Sequence, residues 1–155
     1  MSRLLSLFRS LDRYEVARLR KFVCSPFFNE NAQLVVLFDE LKTHYWRSEQ
    51  TDIDKNVLWQ KINPSEKYND LKYRRLISDL LQIVEAFLVQ QARDAEDRHD
   101  LMLLQQLSKR NLNKHFDNTE QQFRQQLEAA KLQDFDYYAK KFVLEEIVFQ
   151  HRNES

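Results

Sequence analysis

The sequence contains no glycine in its 155 residues, although glycine makes up about 7% of an average chain. Glycine supplies the positive φ angles of tight turns and lets a backbone approach a bound phosphate closely. Its absence excludes glycine-rich phosphate loops, the dinucleotide-binding fingerprint and the nucleophile elbow of hydrolases. Only Pro26 and Pro64 interrupt a chain rich in helix-forming residues. The sequence therefore predicts an all-α fold of about seven helices.

Composition and charge predict one soluble unit. A chain of 155 residues, 43% of them hydrophobic and including eleven Phe, six Tyr and two Trp, can fill its own core. Lys plus Arg number 24, as do Asp plus Glu, so no net field draws the protein to nucleic acid or membrane. Cys24 is the only cysteine, which excludes an internal disulfide. No apolar run approaches the roughly 18 residues of a membrane span. We predict a cytoplasmic protein that binds neither a cofactor nor a membrane.

The N-terminal part, 1–92, predicts a helical bundle. Residues that cap helix N-termini precede its apolar runs. The candidates are Asp12 with Glu15 as its capping-box partner, Asn29 or Asn31, Asp52 or Asp54, and Asn69. The strongest helix spans 70–92 and keeps a wide apolar face for five turns. We expect Leu80 and Phe87, in the middle of that face, to lie at the centre of the main core.

The charge cluster at 93–100 predicts a boundary within this single all-helical unit, followed by a helical-hairpin extension over 93–155. Three helices are expected there, at about 98–110, 113–131 and 135–151, and short connections should make neighbours antiparallel. Asparagine, as at Asn111, is expected to take the C-capping position that glycine normally occupies.

Two sequence blocks carry a resemblance to a known family. The blocks are Ser25-Pro26-Phe27-Phe28-Asn29-Glu30-Asn31, and Lys67-Tyr68-Asn69-Asp70 leading into Arg75-Leu76-Ile77-Ser78-Asp79-Leu80-Leu81. With them the chain resembles a family of uncharacterised, largely helical bacterial proteins, over nearly its whole length. The resemblance implies no activity, cofactor or partner, and in the longer sequences of this family further helices follow. Physically, we expect Phe27 and Phe28 to wedge a turn between two helices.

Few side chains are spaced for catalysis or metal binding. Glu96 and His99 have the Glu-x-x-His spacing of di-iron bundles, but those sites need a second such pair and the sequence has none. Glu40 and His44, four residues apart on one helix, favour a surface hydrogen bond. Cys24 at a helix C-terminus is expected to be a partly buried, inert thiol. We therefore predict that the protein is not an enzyme.

The segment 54–88 supports an alternative function. A short helix, a proline-containing turn and the long helix look like the helix-turn-helix of bacterial winged-helix activator domains. On the long helix, Arg75, Ser78 and Gln82 share a polar face that can enter a major groove. Basic residues near the start of the helix can contact phosphates. They are Lys67, Lys72 and Arg74.

Two features argue against DNA binding. Asp79 and Glu85 border the polar face, and residues 90–110 favour helix where a winged-helix domain places a β-hairpin. The favoured function is therefore a helical protein interaction or scaffold module, with DNA binding as the alternative.

The last predicted helix is apolar on two sides. Phe135, Tyr138, Phe142 and Phe149 form one face, and Leu144, Ile147 and Val148 project from the other. A helix that is hydrophobic nearly all round is buried on two sides. One face can pack on the preceding helix, whereas the second must meet another copy or helices that follow in a longer chain. The prediction is a homodimer formed through Leu144, Ile147 and Val148.

Overall fold

The computed structural model describes residues 1–50, 52–95 and 98–154. These residues contain eight helices and no strand, which confirms the all-α prediction. The helices are α1 (Ser2–Ser10), α2 (Arg13–Val23), α3 (Ala32–His44), α4 (Lys55–Ile62), α5 (Asp70–Ala95), α6 (His99–Lys109), α7 (Asn113–Glu128) and α8 (Phe135–Glu154). The chain divides into two compact units, Met1–Gln90 and Gln91–Ser155.

The helix starts of the first unit carry the expected side-chain caps. Asp12 and Glu15 form a complete capping box at α2. Asn31 caps α3 and Asp54 caps α4, so the structure selects the later of the two candidates at each start. At α5, the side-chain oxygen of Asn69 accepts a 3.1 Å hydrogen bond from a backbone N–H of the first turn.

The first unit buries one core drawn from α1 to α5. Leu80 is fully buried and Phe87 is 4% exposed, which confirms their predicted positions. Phe8 and Phe38 meet edge to face, with ring centroids 5.3 Å apart. Trp59 is buried in the same core and donates its indole N–H to the backbone carbonyl oxygen of Glu66 at 2.9 Å, so its polar atom is satisfied.

The turn after α2 differs from the prediction. Phe27 is 88% exposed and does not wedge the turn, whereas Phe28 stacks on Phe22 at 3.8 Å. Adjacent side chains in a tight turn point in different directions, so only Phe28 contacts Phe22, which packs against the core, while Phe28 itself stays 44% exposed. Cys24 is exposed instead of partly buried, because α2 buries its last side chain at Val23.

The second unit has a separate core between α6, α7 and α8. Its buried apolar residues are Leu101, Leu104, Leu107, Phe116, Phe123, Leu144, Ile147 and Val148. The turn from α6 to α7 places Asn111 at φ 55°, the only positive φ of the described residues. Backbone bonds from Leu112 to Leu107 at 3.1 Å and from Asn111 to Ser108 at 3.0 Å complete a Schellman motif. Asparagine thus takes the place of glycine here, as expected.

The two faces of α8 were assigned the wrong way round by the sequence prediction. Leu144, Ile147 and Val148 are 0%, 5% and 3% exposed and belong to the core, so they offer no surface to a second copy. The aromatic face points to solvent instead. Both faces are apolar enough to be buried, and the inner one also carries His151, whose ring finds a partner in the core. The choice of face depends on α6 and α7, which the pattern of α8 alone does not contain.

Candidate interaction surface on the last helix

Four aromatic side chains form an exposed row along α8. Phe135, Tyr138, Phe142 and Phe149 are 89%, 56%, 71% and 68% exposed. At 3.6 residues per turn, they fall within about 60° of the helix circumference and extend along about 21 Å of its axis. We call these four residues the aromatic stripe.

The aromatic stripe is large for the surface of a monomer. If a full aromatic side chain presents about 200 Å², the exposed fractions correspond to about 570 Å² of surface. The largest apolar patch of a typical monomer is about 300–600 Å², and patches of that size are often functional. The stripe is therefore a candidate site for contact with another apolar surface.

Polar contacts hold the inner face of α8 in place. His151 is 5% exposed, and its Nδ1 lies 2.9 Å from the hydroxyl oxygen of Ser108 on α6. The His151 ring also stacks on Phe116 of α7, with centroids 3.8 Å apart. One side chain of α8 thereby contacts both other helices of the unit. Because the rotation of α8 is fixed, its aromatic stripe is held in the solvent-facing position.

A second polar contact joins α7 to α8. The Arg124 guanidinium donates to Glu120 on its own helix at 3.0 Å and to Glu145 of α8 at 2.5 Å. The hydrogen bond to Glu145 raises the pKa of Arg124, and the same bond lowers the pKa of the Glu145 carboxyl group. Both groups therefore stay charged at neutral pH, and Glu145 is held beside the stripe in an ion pair with Arg124.

Charges of alternating sign line one edge of the aromatic stripe. In chain order they are Asp134, whose side chain caps the start of α8, and Lys141, Glu145 and Arg152 on the helix, all exposed. The Arg152 guanidinium also lies 3.6 Å from Glu120 of α7. Helical spacing places them on the same side of the stripe. The opposite edge carries Glu146 and is otherwise uncharged near the stripe. An apolar centre with a charged rim is the usual composition of a protein interface.

A cleft of about 410 Å³ borders the stripe between α6 and α8. Its apolar lining includes Leu101, Met102 and Val143, so it continues the apolar surface of α8 sideways. Lys140 also lines the cleft, and its ammonium group pairs with Asp136 at 2.8 Å. The cleft is therefore a depression at the edge of the stripe that a side chain can enter.

The structure places the predicted DNA-contacting residues on the exposed side of α5 or just before it. Arg75, Ser78 and Gln82 are all exposed, as the wheel predicts. The phosphate-binding candidates are Lys67, Lys72 and Arg74. Lys72 forms an ion pair with Glu66, whose pKa is lowered by this hydrogen bond, and Arg74 pairs with Asp70 at 2.8 Å. Two of the basic side chains are thus already neutralised within the protein.

The surroundings of α5 differ from a winged-helix domain. Seven residues, 63–69, separate α4 from α5, whereas a helix-turn-helix has a turn of about 3–4 residues. Beyond it, α5 continues to Ala95 and α6 follows at His99–Lys109, and the described part of 90–110 contains no strand. The structure therefore keeps the polar face of α5 but supplies neither the short turn nor the wing.

The predicted metal-type spacings form no site in the described part of the chain. Within the described ranges, no three His, Cys, Asp or Glu side chains lie close enough to hold a metal ion. Glu96 lies outside the described residues, so the Glu-x-x-His pair with His99 has no structural outcome. Glu40 contacts His44 at 3.4 Å and Lys61 at 2.8 Å, which is the expected surface contact with an added lysine. No helix of the described residues is long and apolar enough to cross a membrane.

The comparisons with known proteins give no relative. No protein-family model, no curated protein and no solved structure matches this chain. The family resemblance of the two sequence blocks therefore stays a prediction, and any functional argument depends on the surface itself.

Sequence reasoning identified the aromatic residues of α8 but not their exposure. It also gave no weight to His151, near the end of the helix, and none to Glu120, which is 8% exposed in the core. One signal was available. His151 lies three and four residues after Val148 and Ile147, so it extends their face and not the aromatic one.

Proposed function

We propose that the protein is a non-enzymatic helical interaction module that docks an amphipathic helix of a protein partner along the aromatic stripe. The observation that carries this proposal is the exposure of Phe135, Tyr138, Phe142 and Phe149 on a helix whose other face is buried. We also propose a cytoplasmic location, because the single exposed Cys24 suits a reducing compartment.

The chemistry of the stripe favours a protein partner. Aromatic side chains are enriched among the residues that dominate binding energy in protein interfaces. An amphipathic helix recognises such a surface through side chains spaced at three, four and seven residues, and Phe135, Tyr138 and Phe142 have that spacing. The charged edge then orients the partner and opposes wrong ones.

Site-specific photo-cross-linking in the cells that make the protein tests this proposal. A benzophenone amino acid replaces Phe142 in the stripe or, as a matched control, Phe27, an aromatic residue of similar exposure in the first unit. We expect a cross-linked protein adduct from position 142 and a much weaker one from position 27. Equal adducts from both positions, or none from position 142, would contradict a docking role for the stripe.

DNA binding through α5 is a second candidate, favoured by the exposure of Arg75, Ser78 and Gln82. Fluorescence anisotropy with duplex DNA across a salt series tests it, because phosphate contacts give a steep dependence of affinity on salt. Arg75→Ala with Gln82→Ala should weaken binding without lowering the melting temperature, since both side chains lie outside the core. A parent protein that does not bind duplex DNA at low salt excludes this function.

A further inference from the structure

We infer that the partner helix on the aromatic stripe is α8 of a second copy, packed antiparallel about a two-fold axis that passes beside Phe142. The inference rests on the proposed function, because it names the occupant of the same surface. It returns to a homodimer, but through the face opposite to Leu144, Ile147 and Val148. The distribution of apolar and charged residues along α8 supports it.

The apolar residues of the stripe are symmetric about Phe142. Phe135 lies seven residues before it and Phe149 seven residues after it. A two-fold axis at Phe142 reverses the helix direction, so Phe135 of one copy meets Phe149 of the other at both ends. Tyr138 lies level with position 146 of the second copy but toward the charged edge of the stripe, whereas Glu146 lies on the opposite edge. Phe135, Phe142 and Phe149 each have a matching partner in this register.

The charged edge is complementary to itself in the same arrangement. A two-fold axis brings the same edge of both helices together, so an edge of uniform sign would repel itself. This edge alternates instead. Measured along the paired helices, Lys141 of one copy lies two residue positions from Glu145 of the other copy. Asp134 of one copy likewise lies two residue positions from Arg152 of the other. These four contacts across the axis join opposite charges, whereas Lys141 comes equally close to Lys141 of the second copy. The Glu145 carboxylate offsets that repulsion, because it has acceptor sites left beside its bond to Arg124.

The area of the stripe is sufficient for a weak but specific dimer. Two copies of about 570 Å² bury about 1,100 Å² together, just above the roughly 1,000 Å² that a biological interface needs. A dimer of this size should dissociate on dilution, with a dissociation constant on the order of micromolar.

Disulfide cross-linking tests the register. In packed helices with axes about 8–10 Å apart, backbones carrying residues on the axis approach to about 4–6 Å between Cα atoms, which is within disulfide range. Phe142→Cys, in a Cys24→Ser background, should therefore cross-link to its own copy under mild oxidation. The control is Glu146→Cys, whose two copies are offset by about 12 Å along the helices and cannot bond.

Charge reversal tests the edge. Lys141→Glu and Glu145→Lys each place like charges across the axis, and we expect each to weaken the dimer at least about fivefold. The two variants mixed together place opposite charges at every contact between positions 141 and 145, including the contact that joins two lysines in the parent. They should therefore form a mixed dimer at least as tight as the parent dimer. Glu145→Lys also loses the contact with Arg124, but a misfolded variant cannot restore pairing on mixing.

Light scattering coupled to size-exclusion chromatography, from about 1 to about 100 µM, measures the affinities. A dimer that cross-links at position 142 but not at 146, and that is restored on mixing, supports the inference. A monomer at every concentration overturns it, as does a dimer unaffected by Phe142→Asp, whose side chain is exposed and leaves the fold intact. A different protein cross-linked in cells at position 142 then still supports the docking function, so the two failures are distinguishable.

Discussion

Replacing Leu80 by alanine should strongly destabilise the first unit. Leu80 is fully buried on α5, and the substitution removes three carbon atoms from the core. Their transfer to water accounts for about 2.4 kcal/mol at about 0.8 kcal/mol each. The cavity left behind adds to this, because the surrounding helices relax only in part. We expect a loss of about 3–4 kcal/mol in the free energy of unfolding.

Urea denaturation followed by tryptophan fluorescence measures this loss, because Trp46 and Trp59 both lie in the first unit. With a slope of about 1.5–2 kcal/mol per M urea, the midpoint should fall by about 2 M. Leu71→Ala is the matched control, since it makes the same change on the same helix at a side chain that is 79% exposed. It should shift the free energy by no more than about 0.5 kcal/mol. If the two variants unfold at the same urea concentration, the placement of Leu80 at the core centre is wrong.

Three further outcomes can be checked in the same way. The buried Tyr73 hydroxyl has no hydrogen-bond partner among the described residues. Tyr73→Phe should therefore leave the free energy of unfolding unchanged or raise it by up to about 1 kcal/mol. A decrease of more than about 1 kcal/mol would mean that the hydroxyl does form a hydrogen bond. Burial raises the pKa of Tyr73 to about 12, so its neutral form stabilises the fold below pH 10, and up to about 2 kcal/mol should be lost as the pH rises from 10 to 12. Tyr73→Phe should lose less over that range in alkaline urea titrations, and an identical loss would refute the assignment. Val148→Glu buries a charge and should unfold the second unit, whereas Phe149→Glu should not. Hydrogen exchange of the backbone amides of α6 to α8 measures the difference. Equal protection of these amides in the two variants would contradict the observed orientation of α8.

Local signals in the sequence predict the helices well. The capping box of Asp12 and Glu15, the proline after Asn63 and the left-handed Asn111 each act within a few residues, so their effects can be worked out without the rest of the fold. The same holds for Leu80, because a single wide apolar face leaves only one side of α5 to bury.

The candidate site depends on long-range packing and could be predicted only in part. Two apolar faces compete on α8, and the buried one is selected by contacts of His151 with Phe116 and Ser108, which lie 35 and 43 positions earlier in the chain. Periodicity identifies both faces and cannot rank them. Phe27 and Phe28 present the same difficulty on a smaller scale, because adjacent aromatics in one turn give equal signals and only the turn geometry separates them.

The polar contacts inside the second unit disfavour a misfolded state in which α8 buries the wrong face. A helix with two apolar faces has a competing state in which α8 is rolled over, the four aromatic rings are buried and Leu144, Ile147 and Val148 face water. Hydrophobic burial alone discriminates poorly between these states. The rolled helix would lose the His151 contact with Ser108 and the bond from Arg124 to Glu145. These contacts therefore create the energy difference between two packings of α8 that bury similar apolar surfaces. Their main effect is to fix which face of α8 is buried, and they add less to the overall stability of the unit.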